Sequence, residues 1–307
     1  MYYFIVNPAS GSNHGRTIWK TIHQQLDKSQ VEYKAFVLSK RGEARTLAAS
    51  LAESKQPATV IVVGGDGTIN ETIDGLFTGS CAHITFGCIP TGSGNDFVRG
   101  LGLARDPSKA LHTILHPKEI RPVNIGTTQC GTASRSFAVS SGIGFDAAVC
   151  HSVLDSRLKT ALNRFHSGKL VYLFTAPWLL CTMKRQTFRL TVDDCAPQTF
   201  EKCYFAAAMN LRYEGGGFQF CPDARPDDDC LDLLIVNGIS RLRAVSVLPL
   251  AFFGKHTRKK GIHIIRCKKA RLQTDQPACV HTDGEIPGFC QEAVFSLHEK
   301  KLAVILR

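Results

Sequence analysis

Over the first 122 residues, short β-branched and aromatic runs alternate with stretches of helical spacing. Tyr2–Val6, Val31–Leu38, Thr59–Val63 and Ile84–Ile89 are apolar enough to be buried strands. Between and after them, Arg16–Leu26, Glu43–Glu53, Ile69–Phe77 and Pro107–Leu115 repeat apolar positions as helices do. Buried strands separated by helices predict parallel βαβ units, hence an α/β domain over 1–122 with a Rossmann-like sheet. In such sheets ligands sit outside the carboxyl ends of the strands, which is where the glycine-rich turns of this chain fall.

After Arg121-Pro122 the texture changes. Ser136–Ser140, Phe188–Val192, Cys203–Met209 and Leu231–Val236 read as strands, and helical spacing is confined to about Ala161–Met183 and Arg241–Phe253. This predicts a β-rich, antiparallel, sandwich-like domain over 123–288. Residues 289–307 form a C-terminal tail ending in an apolar strand, Leu302–Leu306; pattern alone does not assign its sheet, and a return to the first domain is open.

Composition narrows the picture modestly. A hydrophobic fraction of 44% and a charged fraction of 21% suit a globular protein, and 307 residues suffice for two domains. The net charge of +11 favours anionic partners. The densest basic run, Lys255 to Arg271, holds eight Lys or Arg and suits either a solvated face or an anionic membrane surface. Twelve cysteines lie scattered without a CxxC pair, and the chain opens on a strand instead of a secretory leader, so reduced thiols and a cytoplasmic setting are expected. The longest apolar run, Leu170–Met183, is too short to span a bilayer, so any membrane contact would be peripheral.

Three turns carry the candidate chemistry. Asn7-Pro8-Ala9-Ser10-Gly11-Ser12 follows the first strand and precedes a helix, leaving backbone N–H groups for phosphate, although simple turn chemistry gives the same pattern. Gly64-Gly65-Asp66-Gly67-Thr68-Ile69-Asn70 follows the third strand: its glycines let backbone approach a ligand, Asp66 can hold hydrated magnesium, and Thr68 and Asn70 can donate to phosphate. Pro90-Thr91-Gly92-Ser93-Gly94-Asn95-Asp96 follows the fourth; Ser93 can reach phosphate, and Asn95 or Asp96 can cap the next helix. Since all three follow strands of one predicted sheet, they should converge.

The combination NPxSG, GGDGTxNE and PTGSGNDF resembles the diacylglycerol kinase catalytic fold shared with sphingosine and ceramide kinases. The resemblance continues through Asn210-Leu211-Arg212-Tyr213-Glu214-Gly215-Gly216-Gly217-Phe218, Pro222-Asp223-Ala224 and Asp227-Asp228-Asp229-Cys230-Leu231-Asp232 to Asp283-Gly284-Glu285. It is narrowest toward the soluble bacterial YegS- and DgkB-like lipid kinases.

The resemblance implies Mg-ATP in an interdomain cleft, contacted by Asn7 to Gly11, Gly64 to Asn70, Ser93 and Ser39. It implies magnesium at Asp66 and Asp96, and a second site built from the Asp228 carboxylate with the carbonyls of Arg225 and Cys230. Asp229 departs from the pattern, since the family usually has Gly there. The segment Asp283-Gly284-Glu285 resembles the catalytic DGE, with Asp283 the expected base for the lipid hydroxyl and Glu285 the alternative. Arg16 and Lys159 are candidates for pairing with the γ-phosphate. A lipid hydroxyl at an anionic membrane surface is the expected acceptor, with diacylglycerol, giving phosphatidic acid, the leading member; phosphatidylglycerol, sphingoid bases and other lipid alcohols stay open, as does a homodimer.

Rival readings are thinner. Gly142-Ile143-Gly144-Phe145-Asp146-Ala147 fits a dinucleotide GxGxxA, but no acidic residue ends a strand at the expected distance, and a strand-to-helix turn is the better account. An NAD kinase would share GGDGT but not PTGSGNDF and NLRYEGGGF. A non-catalytic basic module is disfavoured by the retained Asp66, Asp96, Asp228 and Asp283, and nucleic acid is not expected without basic-aromatic interleaving.

Overall fold

The computed structural model describes residues 1–155 and 178–307, which divide into two compact units, Met1–Ile125 with Glu299–Arg307, and Gly126–His298. Most of the helical stretch expected at Ala161–Met183, and Lys159 with it, lies outside the described residues; 178–182 are helical.

In the first unit, β1 (Tyr2–Val6), β2 (Tyr33–Val37), β3 (Ala58–Gly64) and β4 (Ile84–Pro90) pair in parallel in the order β2-β1-β3-β4. Helices α1 (His14–Lys28), α2 (Glu43–Glu53) and α3 (Asp66–Leu76) connect them, followed by α4 (Asp96–Leu101) and α5 (Pro107–Leu115). Phe4, Val6, Ile61, Val63 and Ile89 of the sheet pack with Ile22 and Leu26 of α1 and with Leu111 and Ile114 of α5. The six-residue α4 carried no periodic signal of its own, and α3 begins at Asp66 instead of Ile69, so Asp66, Gly67 and Thr68 of GGDGT open the first helical turn.

The sheet is completed by β5 (Ile120–Val123) and the C-terminal β15 (Leu302–Ile305). β15 pairs parallel with β4 and antiparallel with β5.

The second unit is an antiparallel sheet ordered β12-β11-β10-β8-β13-β14-β6-β7, with β9 pairing β10 and β13. Its strands are β6 (Gly126–Cys130), β7 (Ala133–Phe137), β8 (Ser140–Gly144), β9 (Gln186–Val192), β10 (Gln198–Met209), β11 (Leu231–Asn237), β12 (Ile262–Cys267), β13 (Lys269–Thr282) and β14 (Glu285–Leu297). Its described helices include α6 (Phe145–Asp155) and α7 (Arg241–Phe252). Period-2 alternation serves both faces: Ala206 and Ala208 of β10 join one core cluster, Phe205, Ala207 and Met209 the other.

One expected strand is corrected. Ser136–Ser140 is not continuous, because the successive N–H groups of Ala138, Val139 and Ser140 donate to Asp283 where the chain passes from β7 to β8.

Candidate active site

The three glycine-rich turns leave adjacent strands β1, β3 and β4 and are bonded to one another. Asn7 Nδ2 donates to Thr68 Oγ1 at 2.9 Å, and the Ser10 and Thr91 hydroxyls lie 2.5 Å apart. Thr91 N donates to Gly64 O at 2.9 Å. The glycines have a structural task as well: a Cβ on Gly92 would come within 2.8 Å of Gly65 Cα, and one on Gly11 within 2.0 Å of Thr91 O. Backbone therefore packs on backbone, and the turn atoms converge without intervening side chains. Pro8 and Ala9 sit in the first turn, where Ala9 N bonds back to Asn7 Oδ1; Gly67 and Ile69 are in the first turn of α3, with Asn70 buried behind them, and Ser93 is exposed at the crest of the third turn.

Ser39 stands one residue beyond Leu38, whose N–H still bonds to Val6 O of β1. Its hydroxyl and N–H both donate to Glu43, at 2.8 and 2.6 Å, which together lower the Glu43 pKa. Arg16 is exposed in the first turn of α1.

Asp66 and Asp96 come together around Gly94, where an added Cβ would lie 2.8 Å from Asp66 Oδ2 and 3.9 Å from Asp96 Oδ2. The expected capping of α4 by the Asn95 side chain is corrected. Asn95 makes no side-chain cap, its amide donates to Gly92 O, and Asp66 Oδ1 accepts the Phe97 N–H instead. Asp96 pairs with Arg99 at 2.5 Å. Burial raises the nearby Cys88 thiol to about 12, with the Asp66 charge adding to the effect. The buried Asn95 Oδ1 has no hydrogen-bond partner, leaving an unmatched acceptor in this turn.

In the second unit, Asp228 accepts the Cys230 N–H at 3.2 Å and pairs with Arg266 at 2.6 Å, while the Arg225 guanidinium turns to Asp227. A magnesium ion at this turn would compete with the Arg266 pair. Asp229 adopts a φ of 60°, a left-handed conformation that Gly takes freely and that Asp, with its short polar side chain, is among the few other residues to visit.

Asp283-Gly284 is the two-residue turn of the β13–β14 hairpin, with φ of 50° and 85° and Thr282 paired to Glu285. The Asp283 carboxylate accepts N–H groups from Ala138, Val139 and Ser140 at 2.8–2.9 Å. The residue expected to be the base thus fixes its own turn to the β7–β8 connection. Glu285, half-buried, opens β14 beside it.

The sequence reading missed a buried cluster two residues before this turn. His281 Nε2 lies 3.0 Å from Asp146 Oδ2 and 3.3 Å from Glu214 Oε1. Burial by itself would lower the His281 pKa, but Glu214 and Asp146 outweigh it and raise it to about 9. Gly284 N stands 3.3 Å from Nδ1, a contact that suits the neutral ring; the closer carboxylates decide for the imidazolium. Gly142 explains the false dinucleotide pattern, since a Cβ there would meet Asp146 Oδ2 at 1.8 Å and His281 Nε2 at 2.8 Å. The available signal was Glu214 within NLRYEGGGF and Asp146 within GIGFDA, but nothing local joined either to His281.

Residues 1–128 match the profile of the diacylglycerol kinase catalytic domain, and residues 139–305 that of the YegS C-terminal NAD kinase beta sandwich-like domain. Over 293 residues the chain is 30% identical to a Bacillus subtilis protein named "Putative lipid kinase YtlR", covering 94% of each. It is 27% identical to the diacylglycerol kinase of Bacillus subtilis over 286 residues, 92% of this chain and 89% of that one. Among solved structures, a diacylglycerol kinase from Bacillus anthracis matches with a TM-score of 0.73 at 22% identity, covering 100% and 96% of the two chains. An NAD kinase from Archaeoglobus fulgidus in complex with ATP matches with 0.57 at 14% identity, covering 99% and 93%; both likenesses speak to fold alone. With both profiles matched in order and a relative alike over nearly its whole length, this chain belongs to the diacylglycerol kinase catalytic-domain family of lipid kinases.

Proposed function

We propose that the protein transfers the γ-phosphate of ATP to the hydroxyl of diacylglycerol, giving phosphatidic acid, through peripheral contact with a membrane. The observation that carries this reading is the bonding of three strand-end turns into one cradle beside Asp66 and Asp96. Phosphoryl transfer needs positioning and charge neutralisation more than covalent chemistry. Asn7 to Gly11, Gly64 to Asn70 and Ser93 supply amides and hydroxyls at strand-to-helix junctions, where phosphate is favoured, and Ser39 flanks them at the end of β2. The two carboxylates around Gly94 and the unmatched Asn95 Oδ1 fit magnesium, which prefers oxygen ligands and would offset phosphate charge when bound. Asp228 fits a cation less well, because Arg266 already holds one of its oxygens.

The base role is assigned to Glu285, with Asp283 a positioning residue. Three amides already occupy the Asp283 oxygens, whereas a base must approach the proton it accepts. The test is thin-layer chromatography after incubating the protein with γ-labelled ATP and a total lipid extract, with NAD in parallel. Labelled phosphatidic acid is expected. A different labelled lipid would change the acceptor within the class, and label on NAD alone would overturn the reading.

A further inference from the structure

The outer side of α7 and the turn after it join exposed apolar bulk to charge of one sign. Leu242 is 84% exposed, Phe252 46% and Phe253 65%. Leu242, Ser246, Pro249 and Phe253 recur at helical spacing, and all are exposed. The phenylalanines are not on a loose end. Phe252 stacks edge-on against Phe218, which stacks on Phe220 and so on Phe205 within the core. Lys255 N closes the helix on Leu250 O at 2.9 Å through Gly254, whose φ is +67°, and buried His256 lies 3.0 Å from Phe220 O. A firm base therefore holds a pair of aromatic rings outward.

The charge around them is uniform. From Leu233 through Thr274 the sequence has ten Lys and Arg and no Asp or Glu. Arg266 and Arg271 are taken up by Asp228 and Glu292. Arg241, Arg243, Lys255, Arg258, Lys259 and Lys260 are exposed, and among the described residues none has an ion-pair partner. The basic run is thus split by the fold, and its first part gathers at the end of α7.

We propose that this face is the membrane-docking surface: Leu242, Phe252 and Phe253 enter the headgroup region of an anionic bilayer while the flanking basic residues lie on its phosphates. The occupant follows from complementarity. Apolar side chains rimmed by cations suit an interface that is apolar beneath and negative above. Among the described residues no helix is long and apolar enough to cross a membrane, so contact of this kind is made from one side. The inference rests on the lipid-kinase reading for its purpose, but not for its test.

The test is sedimentation of the full chain with vesicles of phosphatidylcholine alone or of equimolar phosphatidylcholine and phosphatidylglycerol. Wild type should bind the mixed vesicles and leave the neutral ones. Lys259→Gln with Lys260→Gln should weaken binding by roughly 25-fold, at about fivefold per cation near an anionic surface. Phe252→Ser with Phe253→Ser should weaken it by roughly tenfold or more. Leu242→Ser should act in the same direction without touching the core, which separates docking from misfolding. Turnover on dispersed short-chain diacylglycerol should be unchanged in each variant. Equal binding to both vesicle types, or full binding by the Leu242 and phenylalanine variants, would overturn the proposal. Selective vesicle binding without turnover on any diacylglycerol would instead sink the functional reading and leave the docking surface standing.

Discussion

The two units build polar sites by opposite means. At the ends of β1, β3 and β4, the neutral side chains of Asn7, Ser10, Thr68 and Thr91 bond to one another over glycine backbone beside the Asp66 and Asp96 carboxylates, and Asn7 and Ser10 stay partly open to water. Around the β13–β14 turn, charges dominate: Asp283 is clasped by three amides, and His281 is fully buried between Asp146 and Glu214. The hydroxyls and amides of this cradle can bond phosphate oxygens, while the Asp66 and Asp96 carboxylates beside it call for a cation to offset like charge. A buried ion cluster is rigid and expensive to disturb, because removing one member strands the others. The difference suits a binding surface in the first unit and a fixed carboxylate turn in the second.

The largest expected effect separates Glu285 from Asp283. Glu285→Gln should lower kcat by roughly 10²- to 10⁴-fold, the usual contribution of a general base, while its urea midpoint stays near wild type. Asp283→Ala should also lose turnover, but with a stability loss of about 3 kcal/mol from the three stranded amides. If Glu285→Gln kept near-normal turnover, the base would have to be sought elsewhere.

Next in size, His281→Ala should cost about 3–5 kcal/mol in denaturant titrations by leaving two buried carboxylates without their cation. The same cluster sets a pH dependence. A ring whose pKa is raised from 6.5 to about 9 contributes stability fully present below about pH 6.5 and lost as pH rises through 9. The whole difference is on the order of 3 kcal/mol, and it should vanish in the His281→Ala background.

In the neutral cradle effects should be smaller. Gly92→Ala places a Cβ 2.8 Å from Gly65 Cα, so about 1–3 kcal/mol of destabilisation and weaker ATP binding in calorimetry are expected. The smallest change is Asp229→Gly, which relieves a left-handed backbone and should raise stability by about 0.5 kcal/mol with an unchanged denaturant slope.

These contrasts also explain what could be read from sequence. The parallel sheet was legible because its strands are continuous apolar runs and each functional turn directly follows one, so proximity in sequence stood in for proximity in space. The C-terminal strand needed the structure, since nothing in Leu302–Leu306 points to β4, more than two hundred residues earlier. The His281 cluster and the clasp on Asp283 were hidden for the same reason: their partners lie 67 to 145 positions away. Asp283-Gly284 itself carried a hairpin signal, but not its side-chain partners. Asp66 shows the intermediate case, where a residue singled out for magnesium also caps α4 from 31 positions away.

The most direct test of the account is transfer of label from γ-labelled ATP to diacylglycerol in detergent micelles, comparing wild type with Asp66→Ala after confirming that both are folded. The account predicts labelled phosphatidic acid from wild type and none above background from the variant. Near-normal transfer by Asp66→Ala, or transfer by the wild type to NAD but to no lipid, would contradict it.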